Sequence, residues 1–326
     1  MSSEFALHDE SPHDFHGSRA DSVGFQPPGK PWAEAWMQAG VVRVERALAR
    51  LLPAEEGAET DLVPAMRYAT LSGGKRTRAL LCLAAGALSD TPPARLDDIG
   101  AAIEMMHACT LVHDDLPAMD DDVLRRGLPT VHVKFGEATA ILVGDALQAQ
   151  AFLTLAHLDA PGDVRVALMR ELAQAVSTEG AAGGQALDLA LVGKHASVDQ
   201  VLAMHRLKSG ALVRASVRLG ALGALPDKPR HAELYAALDG FGAAFGLALQ
   251  VVDDIIDVTL DTATLGKTAG KDAAASKPTC VSTLGLPAAR QLALELFRDA
   301  RLALAPLGSR ARRLEQMLEQ AERYLH

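Results

Sequence analysis

FGLALQVVDDIID, residues 245–257, sets three aspartates in a run that is otherwise apolar apart from Gln250. On a helix, Asp253 and Asp257 lie one turn apart on one face. Phe245, Leu247, Leu249, Val251, Val252, Ile255 and Ile256 cover the remaining sides, and a helix apolar all round is a buried one. Carboxylates there repel one another and lose their hydration, so they need a strong counterion. A divalent cation with oxygen ligands meets that need, and Mg2+ typically takes one or two carboxylates together with substrate phosphates. Taken alone, the cluster also fits an exposed helix end with solvated acids.

The rest of the chain agrees with a helical core. Of its 326 residues 49% are hydrophobic but only 4% aromatic, with Ala and Leu abundant, and mean hydropathy is +0.09. That balance favours helices over strands. Helical periodicity recurs from Trp32 and Trp36 through Val41, Val44, Leu48 and Leu51, then at 66–71, 75–88, 97–115, 137–158, 164–176, 198–222, 231–258, 288–304 and 314–325. No alternating stretch is long enough to predict a strand. The expectation is one all-α domain over 31–326, with central helices around a cavity, preceded by a disordered tail over 1–30.

Several function classes are disfavoured. No run of about 18 apolar residues suggests a membrane span. The acidic N-terminus (Glu4, Asp9, Glu10, Asp14) has no apolar export signal, and His8, His13 and His16 fit a solvated tail or adventitious metal binding. Cys82, Cys109 and Cys280 are an odd, widely spaced set in apolar surroundings, expected as free thiols in a reducing cytoplasm. A net charge of −9 argues against a general nucleic-acid binder.

A second acidic cluster, HDDLPAMDDD at 113–122, has Asp114 and Asp120 six residues apart. One straight helix would point them to different sides. Pro117 stops the helix, so the chain can curl and bring Asp120 back beside Asp114. Arg125-Arg126-Gly127 follows at once, and acids for a metal beside arginines for phosphate suggest a metal–diphosphate site. Gly73-Gly74-Lys75-Arg76-Thr77-Arg78 gathers three cations at a helix start, an anion site helped by backbone N–H groups. By itself this segment also fits a solvated basic turn.

HDDLPAMDDDVLRRG, QVVDDIID, GGKRTR, GGQALDL (183–189), KSGALVRASVRLGA (208–221) and DTATLGKTAGKD (261–272) occur in an order that resembles the trans-isoprenyl diphosphate synthases of the polyprenyl synthetase family. The likeness runs from about residue 41 to 324 and is greatest to bacterial members that make farnesyl diphosphate. It implies a helical isoprenoid-synthase fold and condensation of isopentenyl diphosphate with an allylic diphosphate (dimethylallyl or geranyl). Three Mg2+ ions, with Mn2+ as a substitute, are implied on the allylic diphosphate. The resemblance assigns Asp114, Asp120 and Asp253 as metal ligands, and Asp115, Asp254 and Asp257 as direct or water-mediated helpers. It assigns Arg125, Lys208 and Lys267 to the allylic diphosphate, and Gly74, Lys75, Arg78, His107 and Arg126 to isopentenyl diphosphate. Ser209, Gln185, Gln250 and Lys277 complete the polar lining; on position alone His107 is equally a core histidine. A homodimer is implied as well.

Departures from the family pattern bear on details. Ala79 stands where proline is usual, Val252 where Gln is frequent, and Ser276-Lys277-Pro278 alters a loop. Five residues before Asp114, members that stop at C15 commonly carry a large side chain, whereas Cys109 and Thr110 are small. The floor of the product cavity is then expected a turn deeper, at Met105 or Met106. The overall likeness favours farnesyl diphosphate, this position geranylgeranyl diphosphate. A class I terpene cyclase would not need the second diphosphate pocket, and a non-catalytic synthase subunit would usually lack one aspartate motif.

Overall fold

The computed structural model describes residues 33–260 and 277–325. Lys267 and the 1–30 tail lie outside them. The helices run α1 (Ala35–Leu51), α2 (Leu62–Leu71), α3 (Thr77–Gly86), α4 (Pro93–Asp114), α5 (Val131–Phe135), α6 (Glu137–Ala156), α7 (Gly162–Val176), α8 (Ala181–Leu191), α9 (Val198–His205), α10 (Ala211–Leu222), α11 (Ala232–Thr259), α12 (Cys280–Leu284), α13 (Leu286–Leu304) and α14 (Arg312–Glu322). A π-turn, Arg206–Gly210, joins α9 to α10, and a single 3-10 turn, Arg323–Leu325, follows α14.

The all-α expectation holds, with local differences that have physical causes. Helix α4 starts at Pro93 rather than 97, because proline is tolerated in a first turn whose N–H groups lack intrahelical partners. The run expected over 198–222 is interrupted by the π-turn. Among the described residues the only strands are Leu124–Arg125 and Leu128–Pro129, paired antiparallel with Arg125 opposite Leu128. Arg126 and Gly127 connect them at φ of 55° and 75°, the two left-handed residues of a type I′ hairpin turn.

The core forms where apolar faces meet. Helix α4 packs against α1, α3 and α6; α10 packs against α3, α7 and α11; α11 lies along α13. Phe241 and Phe245 stack with centroids 5.2 Å apart, and Phe245 meets Phe297 of α13 at 6.3 Å. All three rings are fully buried, each contributing about 1.5–3 kcal/mol over exposure. The α4 and α11 helices thus carry the two aspartate clusters on buried supports. Helix α6 is long and apolar enough by composition to cross a bilayer; one side packs on α4, while Ile141, Leu142 and Leu153 remain exposed.

Candidate active site

The chain curls after α4 as Pro117 leads one to expect. Met119 and Asp121 donate their N–H groups to Leu116 O, and Asp120 N–H returns to Asp114 O at 2.9 Å. Asp114 is therefore the last helical residue with Asp120 folded back on it. Burial, then the neighbouring Asp120 and Asp115, push the Asp114 carboxyl up to about 6 against the pull of Lys208. Asp115 turns elsewhere: buried, it takes a forked pair of bonds from Arg125, Nε at 2.8 Å and Nη2 at 2.5 Å. Asp115 therefore holds the Arg125 guanidinium beside the curl.

Two lysines converge on the same side. Lys277 Nζ reaches Asp120 Oδ1 at 2.7 Å and Asp188 Oδ2 at 3.3 Å, and Lys208 Nζ reaches Asp188 Oδ2 at 2.5 Å. Asp188 is buried on α8, and the two ammonium groups hold its carboxyl below the usual range despite burial. Lys208 projects from the π-turn, whose extra residue re-aims side chains, a device common at functional sites. Its neighbour Ser209 donates to Gln250 Oε1 at 2.6 Å, tying the π-turn to α11. Gln185 Nε2 lies 4.0 Å from Met119 Sδ, beside the curl.

The basic segment before α3 gathers a second set of cations. Lys75 Nζ donates to Tyr324 Oη at 3.0 Å and stands 4.7 Å from that ring's centre. Burial lowers Lys75 to about 8, with Asp253 opposing. Arg78 Nη1 and His107 Nε2 are 3.0 Å apart. A guanidinium only donates, so Nε2 accepts and His107 is neutral, consistent with a pKa pushed well down by burial and then by Arg78. Arg126, next to Arg125 and the first residue of the hairpin turn, donates to Gly73 O and lies against Gly74, where a Cβ would sit 2.7 Å from its Cζ. Arg76, not expected in the site, is a buried strut bonded to Glu45, Glu104 and Thr70 O. Glu104 also accepts the Ala79 N–H at 3.1 Å, a bond that proline could not make.

The α11 cluster divides by side. Asp253 is exposed and within electrostatic reach of Lys75, Arg78 and Tyr324. Asp254 and Asp257 are buried, and Asp254 accepts the Cys280 N–H at 2.7 Å. Asp114, Asp120 and Asp253 are hard oxygen donors. The Lys277 ammonium resting on Asp120 shows that this position takes positive charge, so the donor set fits a divalent cation.

Sequence reasoning missed two groups. Asp188 lay within a quoted motif, and an acid inside the apolar run 181–191 is the same signal that singled out Asp253. Tyr324, a lone aromatic near the end of the chain, carried no pattern.

The chain matches the polyprenyl synthetase family over residues 59–301. A probable farnesyl diphosphate synthase of Sinorhizobium fredii is 74% identical over 297 residues, covering 91% of this chain and 90% of that protein. Farnesyl diphosphate synthase of Escherichia coli is 48% identical over 84% of this chain and 92% of its own. Among solved structures, a Helicobacter pylori geranyltransferase complexed with magnesium and isoprenyl diphosphate superposes with a TM-score of 0.77 at 31% identity, covering 88% of this chain and 97% of that one. The matched span contains both aspartate clusters, the basic segment before α3 and the Asp188–Lys208 pair, so sequence, fold and site converge: the chain belongs to the polyprenyl synthetase family and is a prenyltransferase.

Proposed function

We propose that this prenyltransferase condenses isopentenyl diphosphate with dimethylallyl or geranyl diphosphate to give farnesyl diphosphate and pyrophosphate, with Mg2+ as cofactor. The observation that carries this is the presence of two cationic sets. One (Lys208, Lys277, Arg125) gathers around Asp114 and Asp120; the other (Lys75, Arg78, Arg126) is presented by the segment leading into α3 and by the hairpin turn. A cyclase acting on one diphosphate has no use for the second, and both aspartate clusters are intact, unlike those of a non-catalytic subunit.

Mg2+ held by Asp114, Asp120 and Asp253 would supply positive charge to the departing diphosphate. Lys208 and Arg125 grip the same group and stabilise the charge that develops as the allylic C–O bond breaks. Lys75, Arg78 and Arg126 hold the second diphosphate so that its double bond is aimed at the allylic carbon, and His107 keeps Arg78 in place. The apolar helix walls exclude water from the carbocation. The double bond attacks, a C–C bond forms, and a proton passes from the new cation to the released diphosphate. Protein nucleophiles take no part.

Incubation with geranyl diphosphate, excess isopentenyl diphosphate and Mg2+, read by mass spectrometry, is expected to give mainly the C15 product, and EDTA to abolish it. A C20 trace is expected at long times, because Cys109 is small and stands on α4 five residues before Asp114. Cys109→Tyr should remove the trace. A mainly C20 product would refute the farnesyl assignment; an unchanged trace in Cys109→Tyr would refute the path past that residue.

Lys75 gives the site a pH dependence. With its pKa at about 8, the ammonium is charged below that pH and lost above it. The KM for isopentenyl diphosphate should be flat below about pH 7 and rise up to about tenfold per unit above pH 8, with kcat at saturation little changed. Lys75→Arg should flatten the rise. A KM that stays constant to pH 9 in the parent enzyme would exclude Lys75 as the responsible group.

The exposed apolar side chains of α6 (Ile141, Leu142, Leu153) support a homodimer through that helix. The three buried free thiols support a cytoplasmic setting.

A further inference from the structure

His205, Asp254 and Cys280 meet in a buried triangle formed by three separate elements: the end of α9, the C-terminal part of α11, and the first residue of α12. Their exposures are 3%, 3% and 0%. Asp254 Oδ2 accepts the Cys280 N–H at 2.7 Å, Cys280 Sγ stands 3.9 Å from His205 Nδ1, and His205 Nε2 stands 3.7 Å from Asp254 Oδ2. The triangle's neighbours along the chain give it significance. Lys208 comes three residues after His205, Lys277 three residues before Cys280, and Asp253 immediately before Asp254. The cluster thus ties together, under the site, the three backbones that present a lysine for Asp188, a lysine for Asp120 and the exposed carboxylate of the α11 cluster.

We propose that Asp254 is a positioning residue rather than a metal ligand: with His205 and the Cys280 backbone it forms a knot that fixes Lys277 and Lys208 relative to Asp253. The inference rests on the diphosphate-binding role given above to the two lysines. The geometry is specific because a buried carboxylate must have its hydrogen bonds supplied by the protein. The Cys280 N–H supplies one, and as the first residue of α12 Cys280 has no intrahelical acceptor for that group. Each therefore satisfies the other, and the lysine three residues upstream is held at its distance from Asp120. Partners that orient a binding group typically matter about 10–100-fold when removed.

Three types of metal-binding atom also meet here, so zinc content is part of the test. Proline is accommodated at the first residue of a helix, and Thr279 before it is extended at φ −120°, ψ 167°, as a residue preceding proline prefers. Cys280→Pro therefore deletes the N–H with little backbone cost, while Cys280→Ala deletes only the thiol. In the full-length enzyme, Cys280→Ala is expected within about threefold of the parent. Cys280→Pro and Asp254→Ala should raise the KM for the allylic diphosphate about 10–100-fold while leaving the Mg2+ concentration for half-maximal activity unchanged. Asp254→Asn, which keeps an acceptor, should fall less than Asp254→Ala. Calorimetric binding of a non-hydrolysable allylic diphosphate analogue should weaken in the same order.

A tenfold or larger shift of the Mg2+ curve in Asp254→Asn would make Asp254 a metal ligand and overturn the proposal. So would equal behaviour of Cys280→Pro and Cys280→Ala, or stoichiometric zinc in the purified parent that is lost in Cys280→Ala. Should Cys280→Pro fail to fold, the two Asp254 variants and their Mg2+ curves still decide. Absence of condensation in the parent enzyme would instead count against the proposed function, with the analogue binding still reporting on the knot.

Discussion

Asp114→Ala is expected to lower the condensation rate at saturating substrates by about a thousandfold or more, the scale seen when a principal electrostatic group of an active site is removed. Asp114 ends α4 with Asp120 hydrogen-bonded back to its carbonyl, so its loss takes one of three carboxylates from the cation-binding set. The same change should act oppositely on the metal-free fold. Burial and the adjacent acids raise the Asp114 carboxyl to about 6, above its unfolded value of about 3.9. Ionisation of Asp114 therefore opposes folding. The penalty is complete above pH 6, declines as pH falls and is gone below about pH 4. Metal-free Asp114→Ala should accordingly melt at or above the parent at pH 7, with the gap closing at pH 4. Mg2+ should raise the parent's melting temperature more than the variant's. A variant that is inactive and also less stable without metal would show Asp114 to be structural. Loss of activity with a gain of stability is the pattern of a site built for a ligand.

Much of this arrangement was legible in the sequence, because it rests on short-range rules. Pro117 has to end α4, and the curl it forces brings Asp120 to Asp114 as the spacing suggests. The apolar surround of 245–257 correctly identified a buried helix. Its division of labour was not legible. Spacing alone puts Asp253 and Asp257 together, yet Asp253 is exposed while Asp254 and Asp257 are buried, because α9, α12 and α13 pack around the helix. That packing is tertiary and leaves no periodic trace. The two-residue hairpin was hidden for a different reason: it is too short to alternate, and only the left-handed Arg126-Gly127 turn defines it. Helix α8 was missed because Gly183 and Gly184 lower helix propensity. The π-turn at Arg206–Gly210 looks from sequence like continuous helix.

Those last two misses are one feature. Gly184→Ala should disable the enzyme although it enlarges the side chain by a single methyl group and improves local helix propensity. A Cβ at 184 would lie 2.0 Å from Lys208 N, 2.4 Å from Lys208 Cα and 2.7 Å from Leu207 C. These are backbone atoms of the π-turn, and no rotamer change relieves the overlap. Either α8 moves away from the turn or the turn relaxes, and both separate Asp188 from Lys208, now 2.5 Å apart. Overpacking of this kind costs about 1–3 kcal/mol, or more where the backbone must shift, which for a chain of this size lowers Tm by roughly 2–5 °C. Activity should fall further than stability explains: at 25 °C, with the protein still folded by circular dichroism, kcat/KM for the allylic substrate should drop about a hundredfold. Gly162→Ala, in the first turn of α7 with nothing within 4 Å of the added methyl, should leave both quantities unchanged. If Gly184→Ala lost only stability, Lys208 would not depend on the close approach of α8. If it lost neither, the two backbones would not be in the contact on which the Asp188–Lys208 pair depends.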